Sequence, residues 1–308
     1  MRTGTNTSIY FKALDDANIM DEPEVIRRLH EVGFEAIDFS LFSVSSPSYI
    51  LNGDDWQKKV DRVAETAAKY GMIFSQIHLP FICGGNRVQH PSFTDPGYAK
   101  HFDESMRRAY IAASMVGAPW AVAHCYNYPM ETYDREESKK GNHEYYDDYV
   151  ELGMKHGVGT AFENMIQGTK ESLRLRYTGH YSELIEFVDS YQDPMVKICW
   201  DTGHANEACC NQAYALRKIG KRLACLHVND NYRDKDHHNI PFCGTVDWRS
   251  VISALAEIGY TGDCSLEAGK FVERAPRALQ DSFVRTAYEA CRYLCDMFEQ
   301  LQNDNCLT

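Results

Sequence analysis

The chain has 308 residues, 44% hydrophobic and 25% charged, an ordinary globular composition with length enough for one sizeable core. That excludes disorder, collagen and coiled coil as descriptions of the whole, and no apolar run approaches the roughly 18 residues of a membrane span. Lys and Arg number 32 against 44 Asp and Glu, a formal charge of −12 that repels nucleic acid and anionic membrane, so neither is expected as a partner.

In chain order, a first strand is predicted over TNTSIY (5–10), followed by the helix PEVIRRLHEVG with a glycine stop at Gly33. The strand EAIDFSL (35–41) precedes WQKKVDRVAETAAKYG, stopped at Gly71. Then come MIFSQIHL (72–79) with YAKHFDESMRRAYIAASMVG, WAVAHC (120–125) with HEYYDDYVELGMKHG, and GTAFEN (159–164) with YSELIEFVDSY. VKICWD (196–201), LACLHVN (223–229) and DCSLEA (263–268) are followed by QAYALRKIG, WRSVISALAEIG and the closing helix RALQDSFVRTAYEACRYLCDMFEQL. Strict alternation means parallel strands with crossover helices, and eight units close a barrel. The predicted fold is therefore α/β, a single (β/α)8 TIM barrel with 1–308 as one domain. The longest connections, 80–97, 126–142, 165–180 and 230–247, all follow strands and fall on the C-terminal face, where such barrels keep their sites.

The start, MRTGTNTSIYFKALDD, has no basic segment followed by a hydrophobic one, so no cleaved leader is expected. The 11 cysteines are scattered without a CxxC pair, a usage that fits reduced thiols in the cytoplasm. Cys125, Cys199 and Cys225 lie within strands and read as small core hydrophobes.

Buried parallel strands should be apolar throughout. Here nearly every one ends in a titratable residue: Asp38, His78, His124, Glu163, Asp201, His227 and Glu267, spaced by subtraction 40, 46, 39, 38, 26 and 40. A lone acid at a strand end is an ordinary helix cap, and Asp38 in DFSLF reads as a residue that orients a loop. Glu163, Asp201, His227 and Glu267 at four successive strand ends point instead to a bound cation. Carboxylate oxygens with an imidazole nitrogen suit one divalent ion, Mn, Mg, Co or Zn, with no organic cofactor.

FEN at 162–164, WDTGHAN at 200–206, LHVNDNYR at 226–233, GTVDW at 244–248 and SLEAG at 265–269 carry a family resemblance. Over nearly its whole length the chain resembles the xylose isomerase-like barrel superfamily, in particular the sugar phosphate isomerase/epimerase family that includes the ketohexose 3-epimerases. The resemblance implies that Glu163, Asp201, His227 and Glu267 bind one divalent metal and that His204 and Arg233 contact substrate. It also implies that His78 and His124, together with Asp236 and His238, line the substrate pocket. The related endonuclease IV type carries three zinc ions, for which His78, His124, Asp236 and His238 would be the added ligands. Two departures stand out. CGTVDW replaces a glycine-rich turn, and Asn164 follows Glu163 where the epimerases often have Pro.

The function these readings imply is a metal-dependent sugar or sugar phosphate isomerase or epimerase that moves a proton next to a carbonyl through an enediolate, with Glu163 and Glu267 as catalytic acid and base. Its partner is a small sugar. The alternatives are a three-zinc phosphoesterase, a polyol or sugar-acid dehydratase, and a non-catalytic sugar-binding barrel. Phe42, Phe81, Tyr126 and Trp248 are candidates either for the pocket wall or for core packing. The last helix, with Tyr288, Tyr293, Phe298 and the Cys291/Cys295 pair, packs either on the barrel or on a partner in a homo-oligomer.

Overall fold

The computed structural model describes residues 1–308 apart from 17, 47, 85–86, 90–94, 129–132, 167–175 and 306–308, with the backbone alone for 82–84, 87–89 and 305. The strands are β1 (Thr3–Asn6), β2 (Ala36–Ser40), β3 (Ile73–His78), β4 (Ile82–Gly84), β5 (Arg87–Gln89), β6 (Trp120–His124), β7 (Gly159–Glu163), β8 (Val196–Asp201), β9 (Leu223–His227) and β10 (Cys264–Leu266). β4 and β5 pair as an antiparallel hairpin outside the barrel. The other eight form one parallel sheet in the order β10-β1-β2-β3-β6-β7-β8-β9. Its two edges meet at a parallel bridge between Val228 and Leu266, where Val228 N–H donates to the Ser265 carbonyl at 2.8 Å and Glu267 N–H to the Val228 carbonyl at 3.0 Å. The ring is thereby closed, as expected of a (β/α)8 barrel.

The helices are α1 (Glu22–Val32), α2 (Trp56–Lys69), α3 (Pro96–Val116), α4 (Arg135–Lys155), α5 (Tyr181–Ser190), α6 (Thr202–Glu207), α7 (Gln212–Ile219), α8 (Trp248–Glu257), α9 (Gly269–Val272) and α10 (Gln280–Asn305). Side-chain oxygens of Asp95, Asp134 and Asp247 cap α3, α4 and α8. Gly33 ends α1 at φ 120° and Gly117 ends α3 at φ 74°, backbone conformations that a Cβ disfavours.

Two layers of apolar side chains hold the fold. The larger, between strands and helices, includes Leu29, Phe39, Val60, Met106, Tyr110, Phe162 and Leu294, all fully buried, and each such side chain contributes about 1.5–3 kcal/mol by leaving water. The smaller lies inside the ring, where Val122, Ala161, Cys199 and Cys225 fill the barrel beneath its mouth. Cys199 and Cys225 are thus core residues, and Cys125 is also buried.

Several elements depart from the sequence reading, the unpredicted hairpin β4–β5 and short helix α9 among them. The first strand is Thr3–Asn6, and Thr7–Tyr10 is one 3-10 turn, because Ser40 N–H bonds Thr7 Oγ1 and Ser8 N–H bonds Ser40 Oγ, drawing the chain out of the sheet. Helix α4 begins at Arg135 rather than near His143, since Asp134 accepts from Glu137 N–H and Glu136 and Glu137 fill the first turn. The connection between β6 and α4 therefore runs over 125–134. Finally, WDTGHAN carries the unpredicted short helix α6 directly off β8.

Candidate active site and metal centre

Glu163 ends β7, Asp201 ends β8, His227 ends β9 and Glu267 directly follows β10. Successive strand residues face opposite sides, so a register in which His124 pairs with Glu163 and Asp201 with His227 turns these side chains into the ring together. One ligand atom from each of Glu163, Asp201, His227 and Glu267 lies within 4.8 Å of the others, at four neighbouring positions around the mouth. The structure thus brings together all four expected ligands.

His227 shows what this cluster is suited to hold. Its Nε2–H donates to Asp38 Oδ2 at 3.0 Å, which turns Nδ1 toward the carboxylates of the mouth. That buried Nδ1 accepts and donates no hydrogen bond among the described residues, and it lies in ion-pair range of Glu163 Oε2 at 3.1 Å and Glu267 Oε2 at 3.5 Å. Burial alone would depress the His227 pKa, but Cys199, Glu163, Glu267 and Asp38 raise it well above the usual value. A position that draws a proton so strongly is one where a cation competes with it, and the mixed oxygen and nitrogen donors fit a divalent ion.

Burial would raise the Glu163 carboxyl, yet His227 and His124 outweigh it and hold the group well below the ordinary carboxylate range. Glu267 is pushed up to about 7 by burial; His227 and His238 pull it down while the charges of Glu163 and Asp201 add to the rise. The two carboxyls therefore differ in proton affinity within one mouth.

His124 Nε2 lies 3.0 Å from Glu163 Oε2 and 3.2 Å from His78 Nε2. Since His78 Nδ1–H donates to the Leu79 carbonyl at 2.9 Å, its Nε2 faces the mouth as an acceptor. Burial, with His124 and His227 nearby, keeps His78 well below its usual pKa and hence neutral. Phe42 and Phe81 pack on His78 with ring centroids 5.8 and 5.1 Å away, so these two aromatics wall the site. Tyr126 and Trp248 are core residues instead. Tyr126 stacks in a cluster with Tyr145 and Tyr146, and Trp248 Nε1–H donates to buried Asp230 at 3.0 Å.

His204 belongs to the site through α6. Its Nδ1 lies 2.8 Å from the Asn164 carbonyl and 3.3 Å from Glu163 Oε1. Burial opposes its charge, but Asp201 and Glu163 leave its pKa raised. Asp201 is at once a cap and a candidate ligand. Oδ1 accepts His204 N–H at 2.6 Å and Oδ2 accepts Asn229 Nδ2–H at 2.8 Å, and each oxygen keeps a further lone pair.

Several supporting residues escaped the sequence reading. Asp38 orients His227 rather than a loop, and it also accepts Gln76 Nε2–H at 3.0 Å. Asn164 Oδ1 accepts Asp201 N–H at 2.6 Å while its Nδ2–H donates to the Asp201 carbonyl at 2.9 Å. The polar Gln76 within an apolar strand and the Asn after Glu163 were the available signals.

The remaining expected residues lie at the rim. Arg233 is exposed at φ 66°, and its Nε–H donates to Asn206 Oδ1 at 3.1 Å. It lines a side cavity of about 350 Å³ with Cys209, Cys210 and Ser250, and is joined to none of the four clustered ligands by a described hydrogen bond or ion pair. Asp236 Oδ2 meets His238 Nε2 at 2.6 Å and Lys270 Nζ at 2.9 Å, and His238 Nδ1–H donates to the Glu267 carbonyl at 2.8 Å. Both His238 nitrogens are thus engaged in a salt-bridged triad beside Glu267. Burial opposes that charge, but Asp236 and Glu267 raise His238 to about 9.

Residues 26–300 match the family described as xylose isomerase-like TIM barrel. The chain is similar to the uncharacterized protein y4fM of Sinorhizobium fredii, 26% identical over 168 residues that make up 53% of this chain and 51% of that one. It is also similar to a D-psicose 3-epimerase of Enterocloster bolteae, 36% identical over 96 residues, 30% of each chain. The matched segments span about half of the first relative's length and less than a third of the second's. Among solved structures, a D-tagatose 3-epimerase-like protein superposes with a TM-score of 0.72 at 19% identity, covering 97% of this chain and 99% of that one. An L-ribulose 3-epimerase does so with a TM-score of 0.73 at 16% identity, covering 99% and 97%. At such identities the likeness is one of fold. Among the described residues, no helix is long and apolar enough to cross a membrane.

Proposed function

This chain belongs to the xylose isomerase-like TIM barrel family, and from that premise we propose that it is a divalent-metal-dependent sugar epimerase or isomerase, with residues 1–308 acting as one domain on a small keto sugar. The observation that carries the reading is the convergence of ligand atoms of Glu163, Asp201, His227 and Glu267 within 4.8 Å of one another. The 3-epimerase names among the relatives and structural neighbours support the substrate class. The free cysteines support a reducing compartment such as the cytoplasm.

Glu163, Asp201, His227 and Glu267 would hold Mn, Mg, Co or Zn, which when bound polarises the substrate's carbonyl and neighbouring hydroxyl. Glu163 and Glu267 sit on strands three places apart around the ring, so the two carboxylates address a substrate from different sides. One takes the proton from the carbon beside the carbonyl, and the other returns a proton to the opposite face, which inverts that carbon. Return to the adjacent carbon gives aldose–ketose isomerisation. His204 and Arg233 hold substrate oxygens, His78 and His124 line the pocket, and Phe42 and Phe81 exclude water from it. The test is solvent exchange: metal-loaded protein is incubated with a ketohexose in deuterated water. Deuterium at the carbon beside the carbonyl is expected, and its absence across a ketohexose and ketopentose panel sinks the reading.

A second reading, a multi-zinc phosphoesterase, has one specific observation behind it. His78, His124 and Glu163 also place ligand atoms within 4.8 Å of one another, sharing Glu163 with the first set. Metal counted at the mouth distinguishes the two, about one ion for the sugar enzyme and about three for the hydrolase.

A further inference from the structure

At the end of the barrel remote from the mouth, Cys264 opens β10, three residues and roughly 10 Å of extended chain before Glu267. Cys291 and Cys295 are four residues apart on α10 and so lie one above the other on the same helix face. The three sulphurs lie within 4.8 Å of one another, and no one of the three residues is more than 1% exposed. Their backbone is fixed from both sides. Cys264 pairs with Thr3 of β1, its N–H donates to the Arg2 carbonyl at 3.0 Å, and Cys291 Sγ–H donates to the Cys264 carbonyl at 3.3 Å.

A buried cysteine ordinarily acts as a small hydrophobe, as Cys199 and Cys225 do beside Val122 and Ala161. Cys264, Cys291 and Cys295 instead turn their thiols toward one another. Three sulphurs around an ion at about 2.3 Å need a mutual spacing of about 4.0 Å, which lies within the spacing found. Among the described residues no carboxylate or imidazole joins this cluster, which removes the hard oxygen donors that magnesium, calcium and manganese require. Zinc in structural sites takes four ligands. An all-sulphur set of three suits a soft univalent ion.

We propose that Cys264, Cys291 and Cys295 form a three-sulphur binding site for a soft univalent metal ion of the copper(I) class. Each sulphur that ligates as thiolate releases its proton to solvent. The bound ion ties α10 to β10 at the seam where the ring closes, so it stabilises the folded chain by mass action. This site shares no residue with the mouth and does not rest on the sugar-enzyme reading.

The full chain, stripped of metal and reduced, is titrated anaerobically with copper(I) against a chromogenic copper(I) chelator. One tightly held equivalent is expected, with only sulphur, about three atoms, in the X-ray absorption first shell. The equivalent is expected to persist in a Cys209→Ala/Cys210→Ala variant, which removes the vicinal pair near the rim, and to be lost in Cys291→Ala/Cys295→Ala. Failure to compete with the chelator, a nitrogen or oxygen first shell, or an equivalent that follows Cys209 and Cys210 overturns the site. Should the core variant not fold, the urea midpoint of the Cys209→Ala/Cys210→Ala variant decides the matter. Copper(I) is expected to raise that midpoint, and a midpoint unchanged by copper overturns the proposal.

Discussion

His227 and Asp38 meet inside the barrel, Nε2 to Oδ2 at 3.0 Å, and that one hydrogen bond determines which nitrogen His227 turns toward Glu163 and Glu267. A carboxylate behind a histidine fixes its tautomer and makes the free nitrogen a better ligand, and losing such a partner typically costs about 10–100-fold in metal affinity. Asp38→Ala is therefore expected to weaken Mn(II) binding by about that factor in calorimetric titration. Unchanged affinity would show that the contact only packs the barrel.

Glu163→Gln and Glu267→Gln keep size and shape while removing a proton acceptor. Each is expected to lower kcat by about 10²–10⁴-fold, the range for one acid–base group, with an unchanged circular dichroism spectrum. A single variant that retains full activity eliminates the two-base scheme.

Asn164 clamps both backbone groups of Asp201, and its own carbonyl accepts from His204. Asn164→Ala leaves the Asp201 N–H and carbonyl buried without these partners, a cost of about 1–3 kcal/mol per unsatisfied group. The expected result is a lower urea midpoint together with weaker Mn(II) binding. Loss of stability with metal affinity intact would separate Asn164 from the site.

Gly203 packs so closely on Asn229 that an added Cβ would overlap Asn229 Oδ1. Because Asn229 Nδ2–H holds Asp201 Oδ2 at 2.8 Å, Gly203→Ala is expected to move Asn229 and weaken metal binding in the same calorimetric assay. A variant with wild-type affinity would mean that the Asn229 contact is dispensable for binding.

Glu183, in the first turn of α5, accepts from Tyr133 through one oxygen while the other is buried without a partner among the described residues. Burial is the main cause that lifts its pKa to about 7; a hydrogen bond from the Thr178 backbone opposes the rise and the charge of Glu186 adds to it. A carboxyl whose folded-state pKa lies above its unfolded value of about 4.5 stabilises the fold below that pH and loses the contribution as pH rises to 7. Discounted for partial exposure, the loss is on the order of 1 kcal/mol. Urea midpoints of the wild type are thus expected to fall between pH 4.5 and 7 relative to Glu183→Gln. Parallel pH profiles would refute the assignment.

Much of this was legible from residue order. Strand and helix periodicity is local, so eight βα units, and with them the barrel, could be counted directly. Glu163, Asp201, His227 and Glu267 were equally readable because a titratable residue at a buried strand end needs a physical reason. The start of α4 was missed although its signal, Asp134 three residues before Glu137, is local. Asp38 was misread because its partner His227 is 189 residues away and only ring closure brings the two together.

The sequence by itself determined the fold and the four clustered side chains, since both follow from short-range pattern and strand-end position. Tertiary structure decided which nitrogen of His227 faces the mouth, that Asn164 and Asn229 brace Asp201, that Tyr126 and Trp248 belong to the core, and that Cys264 meets Cys291 and Cys295. Each of these depends on hydrogen bonds or packing between elements distant in the chain, whose directions are set only when the ring closes and the last helix docks on it.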